Sequence, residues 1–275
     1  MAATLLAWDN AIVDAFQVYN DGSWTYDPSI GNLRRESLAL RWVTPGTTVA
    51  ATRFTCGFSV FGVNPTVALV ALCSHNMSLA ATVRVRASTV SNFASNVYDS
   101  GTLNAFATGV TEASRKGMRW NWIHRLTTPT AATYWKIEIT DTANAAGFVS
   151  VGRLFAGQSL WQPSLNFLAG AGLGWESNGE TQKAQSGAEW FVDAEANRFT
   201  RFTTSVIGKT EMLASAFDLN RVAAGAKREV IFQYDPADTV DSVRRSFLGR
   251  LRQLSVLEEP QPLALQGAFE IKELL

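Results

Sequence analysis

Apolar and polar residues alternate with a period of two along much of this chain. In segment 53–60 the apolar residues occupy the even positions, and in segment 134–140 they occupy Trp135, Ile137 and Ile139. Such alternation is typical of a strand with one buried face. The continuous apolar run Val67–Leu72 instead indicates a strand that is buried on both faces. Asn-Pro, Ser-Asn and Asp-Ser-Gly turns separate these segments, which favours an antiparallel sandwich.

The second half of the chain adds one helix to further strands. Thr210 is a candidate N-cap and Gly225 a candidate stop, so the sequence predicts a helix over 210–224. Its apolar stripe is predicted to pack on a sheet rather than to occupy a partner's groove. The stripe comprises Met212, Leu213, Ala216, Phe217, Leu219 and Ala223.

Strands are predicted on both sides of that helix. Asn178-Gly179 is a hairpin turn signal, and a Thr/Phe/Val-rich strand follows at 198–207. Three strands close the chain, and in the last of them the alternation places four apolar residues on one face: Leu263, Leu265, Phe269 and Ile271. The predicted fold is mostly β, in two domains at 1–152 and 153–275.

Composition narrows the possible functions. Of the 275 residues, 47% are apolar and 17% are charged, and the net charge is zero. A low charged fraction fits a β protein with Thr, Ser and Ala on its surface, and it equally fits a subunit that buries surface against neighbours. Basic residues occur as scattered pairs, so no direct nucleic-acid recognition is expected.

The absence of targeting signals and the pattern of cysteine use predict that the protein folds in a cytoplasm. The first residues lack a basic leader, and no apolar run reaches the ~20 residues needed to span a bilayer. Cys56 and Cys73 lie in apolar strands, where a free cysteine behaves as a small hydrophobe. A disulfide between them is not the default in a chain of this length.

No pattern of catalytic or metal-binding residues is present in the sequence. No zinc-ligand set is formed by the two cysteines and the two histidines, His75 and His124. The Gly-rich segment 169–174 lacks the βαβ context of a dinucleotide-binding loop. No cofactor, metal or catalytic residue is therefore predicted. Four carboxylates were considered for a glycosidase pair but carry no motif: Glu138, Asp141, Glu176 and Glu189.

Aromatic residues in predicted loops are the candidates for sugar binding. Trp24 and Tyr26 lie in a loop-like stretch where they could stack on a sugar ring, as could Trp120 and Trp122, although core or interface roles are favoured. His75-Asn76 follows the buried strand. We interpret it as a structural turn held by side-chain to backbone hydrogen bonds.

Two segments resemble a known family. The segment 66–89 resembles the strand, His-Asn-x-Ser, strand core of galactose-binding-like jelly rolls in phage tail proteins. The segment 134–157, with its W-x-I-x-I strand and G-R-L-F-x-G strand, resembles the end of that domain. The likeness covers about 64–157 and implies an N-terminal jelly-roll β-sandwich.

The second half resembles the tail-tube-like barrel of phage distal tail and minor tail proteins in its order of strand, helix and strands. The order of the two domains is reversed relative to the well-known distal tail proteins. The resemblance implies a C-terminal tail-tube-like β-barrel or sandwich with one packed helix. It also implies partners, namely further copies in a hexameric ring, the tail tube, the tape measure and the hub.

Three functional hypotheses follow. The first is a non-enzymatic virion protein of a phage tail tip or baseplate, synthesised in the host cytoplasm, which joins the tail tube to the tip complex. The second is a carbohydrate- or receptor-binding tail module that contacts a host glycan through Trp24 and Tyr26. The third, favoured least, is a glycan-degrading enzyme.

Overall fold

The structure, a computed structural model, describes residues 4–15, 17–21, 29–58, 64–192, 194–223 and 227–275. It is mostly β, which confirms the predicted fold class. The strands of the first half are β1 (Leu5–Asn10), β2 (Gln17–Asn20), β3 (Trp42–Val43), β4 (Phe54–Gly57), β5 (Thr66–His75), β6 (Thr82–Ser88), β7 (Tyr98–Asp99), β8 (Leu103–Asn104), β9 (Asn121–Ala131), β10 (Tyr134–Thr140) and β11 (Ser150–Trp161).

The second half contains shorter strands and the longest helical segment. Its strands are β12 (Gly172–Glu176), β13 (Glu180–Lys183), β14 (Glu189–Val192), β15 (Asn197–Thr203), β16 (Ile207–Gly208), β17 (Val230–Gln233), β18 (Ser246–Leu251), β19 (Leu257–Gln261) and β20 (Ala264–Glu273). The α-helices of the chain are α1 (Val49–Thr52), α2 (Glu112–Arg115), α3 (Lys209–Met212), α4 (Asp218–Ala223) and α5 (Ser242–Arg245), and 3₁₀ turns occupy Ala11–Asp14 and Ile30–Arg34.

The first half is an antiparallel β-sandwich. One of its sheets has the order β2-β4-β10-β6-β7, with β8 beside β6, and it faces the strands β3, β11, β5 and β9. The interior is filled by side chains from both sheets, including Trp42, Phe54, Leu72, Val85 and Ile137. The predicted alternation in β10 is confirmed, because Trp135, Ile137 and Ile139 are all buried.

A continuous sheet joins the two halves. It runs in the order β12-β15-β20-β18-β17-β1-β11-β5-β9, so the N-terminal strand β1 pairs with β11 on one side and with β17 on the other. Burial on both faces explains why Leu5, Leu6, Ala7 and Trp8 are all apolar. The division proposed between residues 152 and 153 falls inside β11, and a third group of core side chains draws on both halves.

The core of the second half lies between this sheet and the helical segment 209–223. Phe202, Phe232 and Phe269 stack with ring centroids 5.5–5.9 Å apart, and Met212 and Leu219 cover them. Four residues of the predicted stripe are buried as expected: Met212, Ala216, Leu219 and Ala223. The helix therefore packs on the sheet, as the spacing predicts.

Two details of the predicted helix are wrong, and a third lies outside the described residues. Gly208, not Thr210, precedes its first turn, and no side chain caps it. Leu213 and Phe217 are 43% and 57% exposed, and a π turn spans Leu213–Phe217. At about 100° per residue, even a regular helix places them roughly 90° and 130° from the centre of the buried stripe. The predicted stop Gly225 and position 224 lie outside the described residues.

The hairpin turn and the last strand also differ from prediction. Asn178 and Gly179 precede β13, and the chain reverses at Ala184–Ala188, where Gly187 has a φ of 85°. Leu263 does not share the buried face of β20. It precedes that strand in the left-handed region, with a φ of 65°.

One buried ion pair joins the two halves, and a second lies within the second half and contacts the first half. Arg153 on β11 is bonded to Glu229 next to β17, with a distance of 3.0 Å between Nε and Oε1, and Asn10 on β1 also donates to Glu229. Arg198 on β15 is bonded to Glu273 and donates to the carbonyl of Arg119 in the first half. Because removing one member would leave a buried charge unpaired, the Arg153–Glu229 pair resists separation of the halves, while Arg198 contributes one hydrogen bond across them.

Candidate functional site

The structure describes two of the four aromatic residues proposed to bind sugar. Trp24 and Tyr26 lie in 22–28, outside the described residues, so their role stays a prediction. Trp122 is buried and stacks on His124, with ring centroids 5.7 Å apart. The Arg115 guanidinium lies 3.1 Å from the ring centroid of Trp120 and covers that face. Trp120 and Trp122 are thus engaged within the protein.

His75 and Asn76 anchor the end of β5. The His75 Nδ1 accepts a hydrogen bond from the Met77 N–H, and the Asn76 Oδ1 accepts from the Ser150 N–H at 2.7 Å. Burial lowers the pKa of His75 from 6.5 to about 3, and the nearby positive charges of Arg115 and Arg41 contribute to this decrease. His75 is therefore neutral at physiological pH, and it packs against Phe106.

Each of the four candidate carboxylates already has partners. Glu138 pairs with Arg86 at 2.6 Å, and Glu189 pairs with Lys183 at 3.0 Å. Asp141 accepts hydrogen bonds from the Ser78 N–H and from Asn144, while Glu176 pairs with Lys272 and Arg252. In the described ranges, no group of three or more His, Cys, Asp or Glu residues is arranged to hold a metal.

The two cysteines are free and buried. Burial raises the pKa of both thiols, which keeps them protonated and unreactive at neutral pH. Across the described ranges, no helix has the length and apolar character needed to span a membrane.

The first unusual surface is the hairpin β13–β14, called the arm below. All eight of its strand residues are exposed, and within the described chain its two strands pair only with each other. Trp190, Phe191 and Val192 are 58%, 76% and 50% exposed. Since successive strand residues point to opposite faces, the arm is apolar on both faces. The sequence by itself indicates only that this stretch is polar and alternating.

The second unusual surface is an apolar groove of about 800 Å³ beside the π turn, called the groove below. Four apolar side chains line it: Leu213, Phe217, Leu254 and Val256. Val256 is 82% exposed. The sequence signal for this site was present in the helical stripe, which is wider than a buried face needs, because Leu213 and Phe217 lie at its edge.

A further exposed apolar residue, Leu263, lies at the turn between β19 and β20. It is 76% exposed and has a positive φ, a conformation that costs a branched residue about 1–2 kcal/mol. Glycine or asparagine would adopt this backbone at lower cost. A strained leucine that buries little of its own side chain is unfavourable for an isolated chain. Such a residue is expected where another surface covers it.

A third surface combines an exposed indole with cations. Trp175 is 52% exposed on the edge strand β12, and it lines a cavity of about 620 Å³ with Lys116, Arg244 and Arg245. Arg244 is paired with Asp241 at 3.7 Å and Arg245 with Asp238. An aromatic face beside cations can accept a planar or sugar-like ring that carries negative charge.

Comparisons with known proteins bear on the fold alone. No protein-family model and no curated protein matches the chain. Among solved structures, the chain is similar to a family 32 carbohydrate-binding module of AlyQ in complex with 4,5-unsaturated mannuronic acid. The sequence identity is 18% and the TM-score 0.36, with 53% of this chain and 97% of that chain covered.

It is also similar to the family 32 module of NanJ from Clostridium perfringens in complex with galactose. That likeness has 14% identity, a TM-score of 0.37, and coverage of 55% of this chain and 98% of that chain. A truncated AlyQ with carbohydrate-binding and alginate lyase domains is similar over 87% of this chain and 56% of its own, with 15% identity and a TM-score of 0.35. At these values the ligands and activities of those proteins do not transfer to this chain.

Proposed function

We propose that this protein is a non-enzymatic structural subunit of a phage tail tip that assembles through its C-terminal half. The observation that carries the proposal is the arm, a two-stranded ribbon that stands clear of the continuous sheet and displays Trp190 and Phe191. An isolated two-stranded hairpin is marginally stable in water. An arm that ends in exposed aromatic residues gains stability when a partner covers it.

The rest of the surface supports the same proposal. A charged fraction of 17% is low for a protein that stands alone, and interface centres are depleted in Lys, Glu and Asp and enriched in aromatic residues. The arm and the groove both lie in the half that resembles the tail-tube-like barrel. Within the described residues, the carboxylates considered for catalysis are held in ion pairs or by backbone N–H groups.

Fractionation of virions tests the proposal. Tails are purified from phage particles that carry the chain, stripped with salt, and analysed by quantitative mass spectrometry. We expect the chain to remain with the tail tube and hub proteins in a fixed small number of copies per tail. Its absence from purified tails, with free chain in the lysate, would overturn the proposal.

Glycan recognition is a second candidate function, favoured by the exposed Trp175 beside Lys116 and Arg244. The indole would stack on a pyranose ring and the cations would pair with a carboxylate on the sugar. A host-glycan array with the wild-type chain tests it. Binding that is lost in Trp175→Ala and kept in Trp190→Ala would locate the site on β12, whereas loss in Trp24→Ala or Tyr26→Ala would locate it in 22–28.

A further inference from the structure

We infer that a cleft between the two halves binds a small neutral ring that carries several hydroxyl groups, such as a pyranose sugar or a cyclic polyol. The cleft has a volume of about 350 Å³ and is called the junction cleft below. From the first half it is lined by β9 and by the end of β8 with the residues after it, and from the second half by β17, β18 and residues 236–243. This site goes beyond the structural role proposed above.

Ser246 is the residue that first indicates a ligand. It lines the junction cleft and is 5% exposed, and its Oγ has no hydrogen-bond partner among the described residues. A buried hydroxyl without a partner is unfavourable, because it has lost its bonds to water and has gained none in the protein. A ligand in the cleft would supply the missing partner.

Gln233 is the direct cross-strand partner of Ser246. The two residues pair in the antiparallel register of β17 and β18, so their side chains leave the sheet on the same face. Both line the junction cleft. A hydroxyl and an amide therefore lie side by side in the wall that the second half provides, and each can donate and accept hydrogen bonds.

The opposite wall adds two amide side chains, those of Asn104 and Asn121. The Asn121 Oδ1 accepts a hydrogen bond from the Ser74 N–H at 3.1 Å, so its NH₂ group is the part that remains for a ligand. Thr239 and Ser242 add two hydroxyls from the second half. Such groups match the hydroxyls of one ring, because each ring hydroxyl also donates and accepts.

Within the described part of the chain, no unpaired charge lines the junction cleft. Its one charged lining residue there is Asp238, which accepts hydrogen bonds from the Val240 and Asp241 N–H groups and pairs with Arg245. A charged ligand would enter without a counter-ion, and an apolar ligand would cover the polar side chains without giving them partners. The lining therefore favours a neutral polar molecule.

The size of the junction cleft suits a small ring. Its volume lies in the lower part of the ~300–1,000 Å³ range that is typical of small-molecule sites. At ~30 Å³ for each molecule it would hold roughly a dozen waters, many more than the hydroxyl of Ser246 needs. Ile123 and Val243 also line it and offer apolar contacts to the C–H groups of a ring.

Saturation-transfer difference NMR titrations of the whole chain test the inference. The neutral probes are glucose, galactose, N-acetylglucosamine and myo-inositol, and the charged probes are glucuronate and, at pH 6, glucosamine. The cleft variants are Ser246→Ala and Gln233→Ala. The matched controls are Ser255→Ala and Trp175→Ala, two positions that do not line the junction cleft. Thermal unfolding checks that each variant is folded.

We expect at least one neutral probe to bind with a Kd on the order of 1 mM, as is typical of a ligand with about a dozen non-hydrogen atoms. The charged probes should bind at least about tenfold more weakly. Ser246→Ala should weaken binding about three- to tenfold, the effect of one lost hydrogen bond, while its own stability stays equal or rises. Both controls should bind as the wild type does.

A disaccharide distinguishes the two sources of such a ring. If galactose binds, lactose presents the same ring at the end of a longer glycan. Equal binding of lactose would support the junction cleft as a site for a glycan terminus, and weaker binding of lactose would support it as a site for a free sugar.

Three outcomes would overturn the inference. The first is no binding of any neutral probe at tens of millimolar. The second is binding that both cleft variants leave unchanged, and its loss in Trp175→Ala would then locate the site on β12. The third is equal binding of the charged probes, which would exclude the neutral class. None of these results rejects the tail role, which fails only if the chain is absent from purified tails.

Discussion

The two halves of the molecule place their aromatic side chains differently. In the N-terminal sandwich, Trp42, Trp122 and Trp135 are at most 5% exposed and fill the space between two sheets. In the C-terminal half, Trp175, Trp190, Phe191 and Phe217 are all more than half exposed. Aromatic residues stabilise a fold in the first arrangement and an interface in the second. This difference is the observation that supports our proposal that the second half contacts partners.

The same substitution in the two halves should therefore have different effects. Phe54→Ala removes a fully buried ring and should lower the free energy of unfolding by about 3–5 kcal/mol. Phe191→Ala in the arm should change it by no more than about 0.5 kcal/mol. Urea unfolding at a concentration that keeps the chain monomeric measures both. A large loss for Phe191→Ala would show that the arm packs on its own subunit.

Breaking the ion pair between the halves tests whether they act as one unit. Arg153→Met leaves Glu229 buried without its cation, and we expect a loss of about 3–5 kcal/mol with a single unfolding transition. The double variant Arg153→Met/Glu229→Leu should recover most of that loss. In contrast, Lys183→Met in the exposed arm pair should cost at most ~1 kcal/mol. Two separate transitions in the wild type would contradict a shared core.

Acid should destabilise the first half through His75. Its pKa is lowered from 6.5 to about 3 by burial, so between these values the unfolded chain binds a proton that the folded chain does not. The contribution of His75 to the free energy of unfolding is therefore fully present above pH 6.5. It is lost at up to about 1.4 kcal/mol per pH unit as the pH decreases toward 3.

Comparison of the wild type with His75→Gln isolates this contribution. Since His124 is present in both chains, its own titration cancels in the difference. We expect the unfolding free energy of the wild type to decline more steeply than that of His75→Gln between pH 6.5 and pH 4.5. Parallel curves would mean that His75 is accessible to protons in the folded state.

The smallest expected effect has the opposite sign. Leu263→Asn relieves the cost of a left-handed leucine and should raise the free energy of unfolding of the monomer by about 0.5–1 kcal/mol. The neighbouring Leu265→Asn, at a buried position, should lower it instead. Differential scanning calorimetry measures both. A loss of stability in Leu263→Asn would show that the leucine contributes to the fold of its own chain.

The sequence by itself determined the local elements where burial follows a simple period. The strands at 66–75, 82–88 and 134–140 and the buried stripe of the helix were predictable, because side chains alternate between faces in a strand and recur every three or four residues in a helix. The absence of catalytic motifs was also visible in the sequence. The candidate sugar-binding residues Trp24 and Tyr26 remain predictions.

Only the tertiary structure decided which elements meet and which side chains stay exposed. The pairing of β1 with both β11 and β17 depends on contacts between residues more than 140 and 220 positions apart, which no local pattern encodes. Leu213 and Phe217, at the edge of the predicted stripe, are exposed in the structure, where a π turn interrupts the helix. Exposure of an apolar residue is a property of its surroundings, so the arm and the groove became recognisable only once the chain was folded.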